Sequence, residues 1–167
     1  MLAALAVTAA SAIHVVHAAS LPAPADAAAL AGAEEVTVEV RNPHLALGAD
    51  APLIAFRGLS AVSVLDALLG ARWREGGALE FRAADGYVSS IPVEQFGRYP
   101  AWLVHRRADG AEFATHNVYL DKRDIPLGPW YLVWDNVGRP ELIALGDHYW
   151  PYQVIDVTWA PPEALPQ

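Results

Sequence analysis

Apolar and polar positions alternate from Val36 to Arg41, with Val36, Val38 and Val40 set against Thr37, Glu39 and Arg41, the period of a half-buried strand. Asn42-Pro43 ends it. Leu53-Ile54-Ala55-Phe56, closed by Gly58, predicts a second strand. The period then turns helical. Ser63 and Asp66 have capping-box spacing, Val64, Leu65, Leu68 and Leu69 make an apolar face, and Gly70 supplies the stop. Ala78 to Arg82 and Tyr87 to Ile91 flank Ala83-Ala84-Asp85-Gly86, a predicted hairpin, because Asp-Gly readily takes the positive φ angles of tight turns. Pro92 stands at the entry of one helical turn over Val93 to Phe96. Trp102 to Arg106 and Ala111 to Thr115, around Asp109-Gly110, predict a second hairpin by the same logic.

Asn117 to Leu127 reads as polar and irregular, and Trp130 to Trp134 as a strand too apolar to face water on both sides. Glu141 to Leu145 is a short element of open type. Tyr152 to Trp159 is the closing strand, with Gln153, Ile155, Val157 and Trp159 on one face and Tyr152, Val154, Asp156 and Thr158 on the other. Seven or so strands with two short helices predict an α+β, β-rich domain whose sheet is mainly antiparallel.

That domain occupies residues 34–160 of 167, enough chain to bury a core without staples. Residues 1–19 are apolar and end in small residues, the pattern of a secretory signal; a retained anchor is the alternative, interrupted by His14, His17, Pro22 and Pro24. Residues 20–33 read as an Ala/Pro linker, and residues 161–167 as a disordered tail. The expected location is periplasmic or secreted. Cysteine is absent, which excludes disulfides, thiolate-held metals and covalent c-type haem. The net charge of -8 argues against a nucleic-acid partner and against adhesion to anionic lipid, leaving membrane contact only to an uncleaved N-terminal segment.

Three signatures follow one another: Asp85-Gly86-Tyr87, then Gly128-Pro129-Trp130-Tyr131-Leu132-Val133-Trp134, then Trp150-Pro151-Tyr152-Gln153-Val154. Phe81-Arg82-Ala83-Ala84 leads into the first, and Val88-Ser89-Ser90-Ile91-Pro92 continues it. In this order and context the chain resembles the small molybdopterin-binding domain of the sulfite-oxidase superfamily. The resemblance implies that fold, a molybdopterin site and a role in a periplasmic redox chain, with a cytochrome or other redox protein as partner. Catalytic members hold molybdenum through a cysteine upstream of the DGY turn, where this chain has Arg41-Asn42-Pro43-His44. The resemblance therefore implies an exported, noncatalytic accessory or binding module. Two alternatives stand beside it: a divergent molybdopterin oxidoreductase with non-cysteine ligation, and a small-ligand-binding protein using the Trp/Tyr-rich region.

Asp85, Tyr87, Trp134, Tyr149, Trp150 and Tyr152 are the candidate cofactor-binding residues, and no metal ligand or catalytic residue is assigned. Tyr149 and Trp150 lie beside Gly146 and Pro151 and read as a loop suited to partner or ligand contact. Trp130 and Trp134 read first as core. Arg82, Arg98, Arg106, Arg107, Lys122 and Arg123, the candidate phosphate donors, read as solvated charges at strand ends. His44, His105, His116 and His148 share no metal-ligand spacing.

Overall fold

A computed structural model of the chain describes residues 17–45, 51–118 and 120–162. It has the β-rich α+β architecture expected from the pattern. The chain runs β1 (His17–Ser20), α1 (Pro24–Ala31), β2 (Val36–Arg41), β3 (Leu53–Ser60), α2 (Ala61–Leu69), β4 (Ala78–Ala83), β5 (Val88–Pro92) and α3 (Val93–Arg98). It continues through β6 (Ala101–Arg107), β7 (Ala114–Asn117), β8 (Lys122–Pro126), β9 (Tyr131–Trp134) and β10 (Val154–Ala160). Two four-stranded antiparallel sheets have the orders β1-β10-β4-β5 and β2-β3-β6-β9, and β7 and β8 form a separate ribbon. A bridge between Trp130 and Val154 joins the larger sheets where β9 begins and β10 starts.

The alternation in β2 holds from Thr37 on, since Val38 and Val40 are buried while Thr37 and Glu39 face out, but Val36 at the strand's start is exposed. Helix α2 begins earlier than its sequence suggests. Ser60, not Ser63, is the N-cap and accepts from the Ser63 amide, while Asp66 turns outward to Arg74 and the Trp73 indole. The buried face of Ala61, Val64, Leu65 and Leu69 follows helical spacing. Asp85-Gly86 closes the β4–β5 hairpin: Gly86 has φ 89°, and the Asp85 carboxylate accepts from the Tyr87 amide.

The second predicted hairpin does not form. Asp109-Gly110 makes a turn, with Gly110 at φ 75°, but β6 is inside its sheet and both of its edges are taken, by β3 and β9. Its buried Ala101, Leu103 and Val104 demand neighbours that the polar segment after Gly110 does not offer. That segment supplies β7, which overlaps the expected strand at Ala114 and Thr115 and pairs instead with Lys122–Pro126, so the stretch expected to be irregular supplies β8. The Ala/Pro stretch after Ser20 is likewise no extended linker. Pro24 stands in the first turn of α1, Gly32 caps its end in the left-handed region, and Ala27 is buried in the core. The expected signal lies outside the described residues except for His17 to Ala19, which pair with Trp159 to Val157. Residues 163–167 of the expected tail also lie outside them.

A bulge between Val154 and Asp156 changes the facing along β10. Val154, Val157 and Trp159 are buried, whereas Gln153 and Ile155, expected on the same face as Val157, are only partly covered. The core holds Trp73, Trp130, Trp134 and Trp150 with Tyr131, Phe56, Phe81 and Phe96. Phe96 stands 4.8 Å from Trp134, 5.9 Å from Trp73 and 6.0 Å from Phe81, ring centre to ring centre. Besides Trp73, three core indole nitrogens have partners: Trp130 donates to the Pro22 carbonyl, Trp134 to that of Tyr149 and Trp159 to that of Gly76. Among the described residues no helix is long and apolar enough to cross a membrane.

Candidate functional site

Strand β2 ends at Asn42-Pro43-His44, and the turn there drives two polar side chains inward. Asn42 Oδ1 accepts from the His44 amide at 3.0 Å and from the Tyr131 hydroxyl at 3.2 Å. Asn42 Nδ2 reaches Thr115 Oγ1 on β7, and Asn117 Nδ2, two residues on, donates to the Tyr152 hydroxyl at 3.3 Å. The turn after β2, the ribbon and the approach to β10 are thus tied by side-chain hydrogen bonds together with single backbone ones, from Val118 to the His44 carbonyl and from Gln153 to the Leu127 carbonyl. Such a network is expensive to leave incomplete, which favours one arrangement of these elements.

His44 is 2% exposed. Its Nε2 lies 3.0 Å from the Trp150 carbonyl oxygen, which can only accept, so the neutral ring carries its proton on Nε2. Nδ1 is then a bare acceptor, buried and without a partner among the described residues. The ring meets Tyr152 edge-on at 5.1 Å and Tyr131 at 5.9 Å. Burial holds His44 below the ordinary imidazole pKa, against the opposing pull of the Trp150 carbonyl and the negative charge of Asp147. Burial likewise raises the phenols of Tyr131 and Tyr87, the former strongly.

His44, Trp150 and Tyr152 line a cavity of about 240 Å³. Its wall is completed by the Asp85-Gly86-Tyr87 turn, by Asn117 and Leu120 from the ribbon, and by the segment from Asp147 to Tyr152. Four of the six residues singled out from the sequence, Asp85, Tyr87, Trp150 and Tyr152, meet here across 67 positions of chain, 152 minus 85. Two do not line it. Trp134 is core, and Tyr149 packs against the His148 ring at 4.5 Å. Trp150 is 1% exposed, so the loop residue expected to meet a partner is instead an inner wall. The reason is local: the 3-10 turn Asp147–Tyr149 and the Trp150 amide, which donates to the Asp147 carbonyl, fold the segment inward.

In the sequence His44 stands out only as a histidine without ligand spacing, and Asn117 and Asp147 do not stand out at all. A polar residue, a proline and a histidine directly after a strand were the available signal for the first, but nothing local reveals that the turn is buried.

The cationic candidates lie elsewhere. Arg82 pairs with Asp156, Arg107 with Asp109, and Arg106 with Glu35, which also binds Arg57 and His105. The cavity lining holds two carboxylates, Asp85 and Asp147, and neither lysine nor arginine among the described residues. A pyranopterin carries a phosphate and needs converging cationic or amide donors, so this donor set does not fit it. Among the described residues no group of three or more His, Asp or Glu side chains is placed to hold a metal ion. No family model matches the chain, and no curated protein matches it.

The buried histidines make stability depend on pH. His105, like His44, is held below the ordinary value mainly by burial, with Glu35 opposing. Folded pKa values below the unfolded value mean that the unfolded chain binds more protons once pH falls under about 6.5. The stabilisation is therefore complete above that pH and declines below it, by up to about 1.4 kcal/mol per pH unit and histidine. A second decline begins under about 4.5, because hydrogen bonds from Arg106 and Arg74 hold Glu35 and Asp66 below the usual carboxylate range. Urea midpoints should drop between pH 7.5 and 5.5 and fall further at pH 4. A midpoint constant from pH 7.5 to 5.5 contradicts the buried neutral histidines.

Proposed function

We propose that this chain is a binding module that takes a small organic molecule in the cavity between the Asp85-Gly86-Tyr87 turn and the Asp147 to Tyr152 segment. The observation that carries the reading is His44, a buried imidazole on the cavity wall whose Nδ1 acceptor has no partner within the described chain. An unmet buried polar atom costs about 1–3 kcal/mol, and natural cores retain such groups where something else meets them. Tyr87, Trp150 and Tyr152 supply the apolar wall that a small ligand needs, with few polar groups to orient it.

The resemblance to the sulfite-oxidase superfamily agrees with a noncatalytic accessory module rather than a molybdenum enzyme, since the position of the metal thiolate holds no cysteine and the cavity offers no cation for a phosphate. Export, and work beside a periplasmic cytochrome or other redox protein, belong to the same proposal. They rest on the apolar N-terminal segment and on the resemblance.

Ligand-observed NMR with a library of small organic compounds tests the reading. Hits are expected, and Tyr87→Ala is expected to weaken them about three- to tenfold, the worth of one aromatic contact. Tyr87 is 52% exposed, so the change leaves the fold intact. A library without hits, or hits indifferent to Tyr87→Ala, overturns the proposal.

A further inference from the structure

Among the described residues the cavity lining holds two carboxylates and neither lysine nor arginine, and this narrows its ligand. Asp147 is partly buried at the wall, and no hydrogen bond or ion pair engages its carboxylate among the described residues. Asp85, exposed at the cavity wall, accepts from the Tyr87 backbone amide, and no ion pair engages it among the described residues. Every arginine near in sequence is committed elsewhere: Arg82 to Asp156, and Arg139 over the Tyr99 ring at 5.9 Å. His44 adds a lone pair, because its proton is spent on the Trp150 carbonyl. Three aromatic side chains, Tyr87, Trp150 and Tyr152, complete the lining, and aromatic faces attract cations.

We propose that the cavity recognises a protonated primary amine on a small apolar body, its ammonium set between Asp147 and Asp85 with one N–H directed to His44 Nδ1. This inference rests on the reading of the cavity as a ligand site and names the class of ligand. A quaternary ammonium satisfies the carboxylates and rings but brings no N–H for the imidazole. A neutral alcohol brings a donor but leaves the two carboxylates of the lining without a counter-charge. A carboxylate or phosphate is repelled by both. The negative charge of Asp147 bears on His44, Tyr87 and Tyr131, behind burial as the leading influence on each.

Calorimetric titration of the full chain at pH 7.5 with benzylammonium, benzyl alcohol and benzoate tests this, since the three share size and ring and differ in charge. Benzylammonium should bind at least about tenfold tighter than benzyl alcohol, a difference of one well-placed charge contact, and benzoate should show no binding. Asp147→Asn, a substitution of equal size at a partly exposed position, should bring the preference for the cation to within about twofold, with the unfolding midpoint retained. Equal affinity for benzylammonium and benzyl alcohol overturns the cation inference and leaves the ligand site standing. Failure of all three compounds to bind at millimolar concentration overturns both. A cation preference that survives in both Asp147→Asn and Asp85→Asn overturns the assignment of the charge to this cavity.

Discussion

Gly58→Ala is expected to cost more than about 3 kcal/mol or to abolish folding outright. A Cβ at position 58 overlaps the Leu103 carbonyl oxygen and comes within 2.5 Å of Val104 Cα. Both are backbone atoms, so no rotamer change relieves the contact. The glycine is needed for close approach, where the β3–β6 register shifts between Arg57 and Gly58. Strand β6 has no room to retreat, because Leu103 and Val104 pair on its other side with Leu132 and Tyr131, all buried. Gly97→Ala is the control. It lies in α3 with open space around its Cβ position, and the better helix former should be neutral or stabilising by up to about 1 kcal/mol. Urea denaturation of both variants decides the matter, and a Gly58→Ala midpoint close to that of the unaltered chain contradicts the described strand packing.

Trp150→Ala should destabilise by about 3–5 kcal/mol, lowering the melting temperature by roughly 6–20 °C for a chain of this size. The side chain is fully buried and packs toward Tyr131, ring centres 6.4 Å apart. Its removal enlarges the cavity from the inside and loosens the segment whose carbonyl holds His44. Differential scanning calorimetry measures the loss, and an unchanged melting temperature contradicts the inner-wall placement. Loss of ligand in this variant says little about recognition, since fold and site fail together. Exposed Tyr87 and partly exposed Asp147 separate the two.

The pairing of these residues marks how far a linear reading reached. Asp85-Gly86-Tyr87 was legible as a turn because Asp-Gly takes positive φ wherever it stands, and the turn formed. Trp130 to Trp134 was legible as core because a run of large apolar residues has nowhere else to go, and every residue of β9 is buried. Asp109-Gly110 carries the same turn signal yet closes no hairpin, since strand partners are chosen by competition among all apolar edges and β6 found better ones in β3 and β9. For Trp150, neighbouring glycine and proline correctly indicated irregular backbone but not its direction.

Local chemistry, then, determined from sequence alone what depends on a few neighbouring residues: the strand period of Val36 to Arg41, the Asp85-Gly86 hairpin, the apolar face of α2, the absence of any thiolate and the acidic balance of the chain. The tertiary structure alone decided which distant groups share a volume. His44, Asp147 and the Asp85 turn are separated by long stretches of chain, and they meet only because two sheets join at Trp130 and Val154 and the polar ties of Asn42 and Asn117 draw the ribbon against that joint. Burial of an imidazole with one acceptor unmet is a property of that meeting, because desolvation depends on what surrounds a group in space and not on what precedes it in the chain.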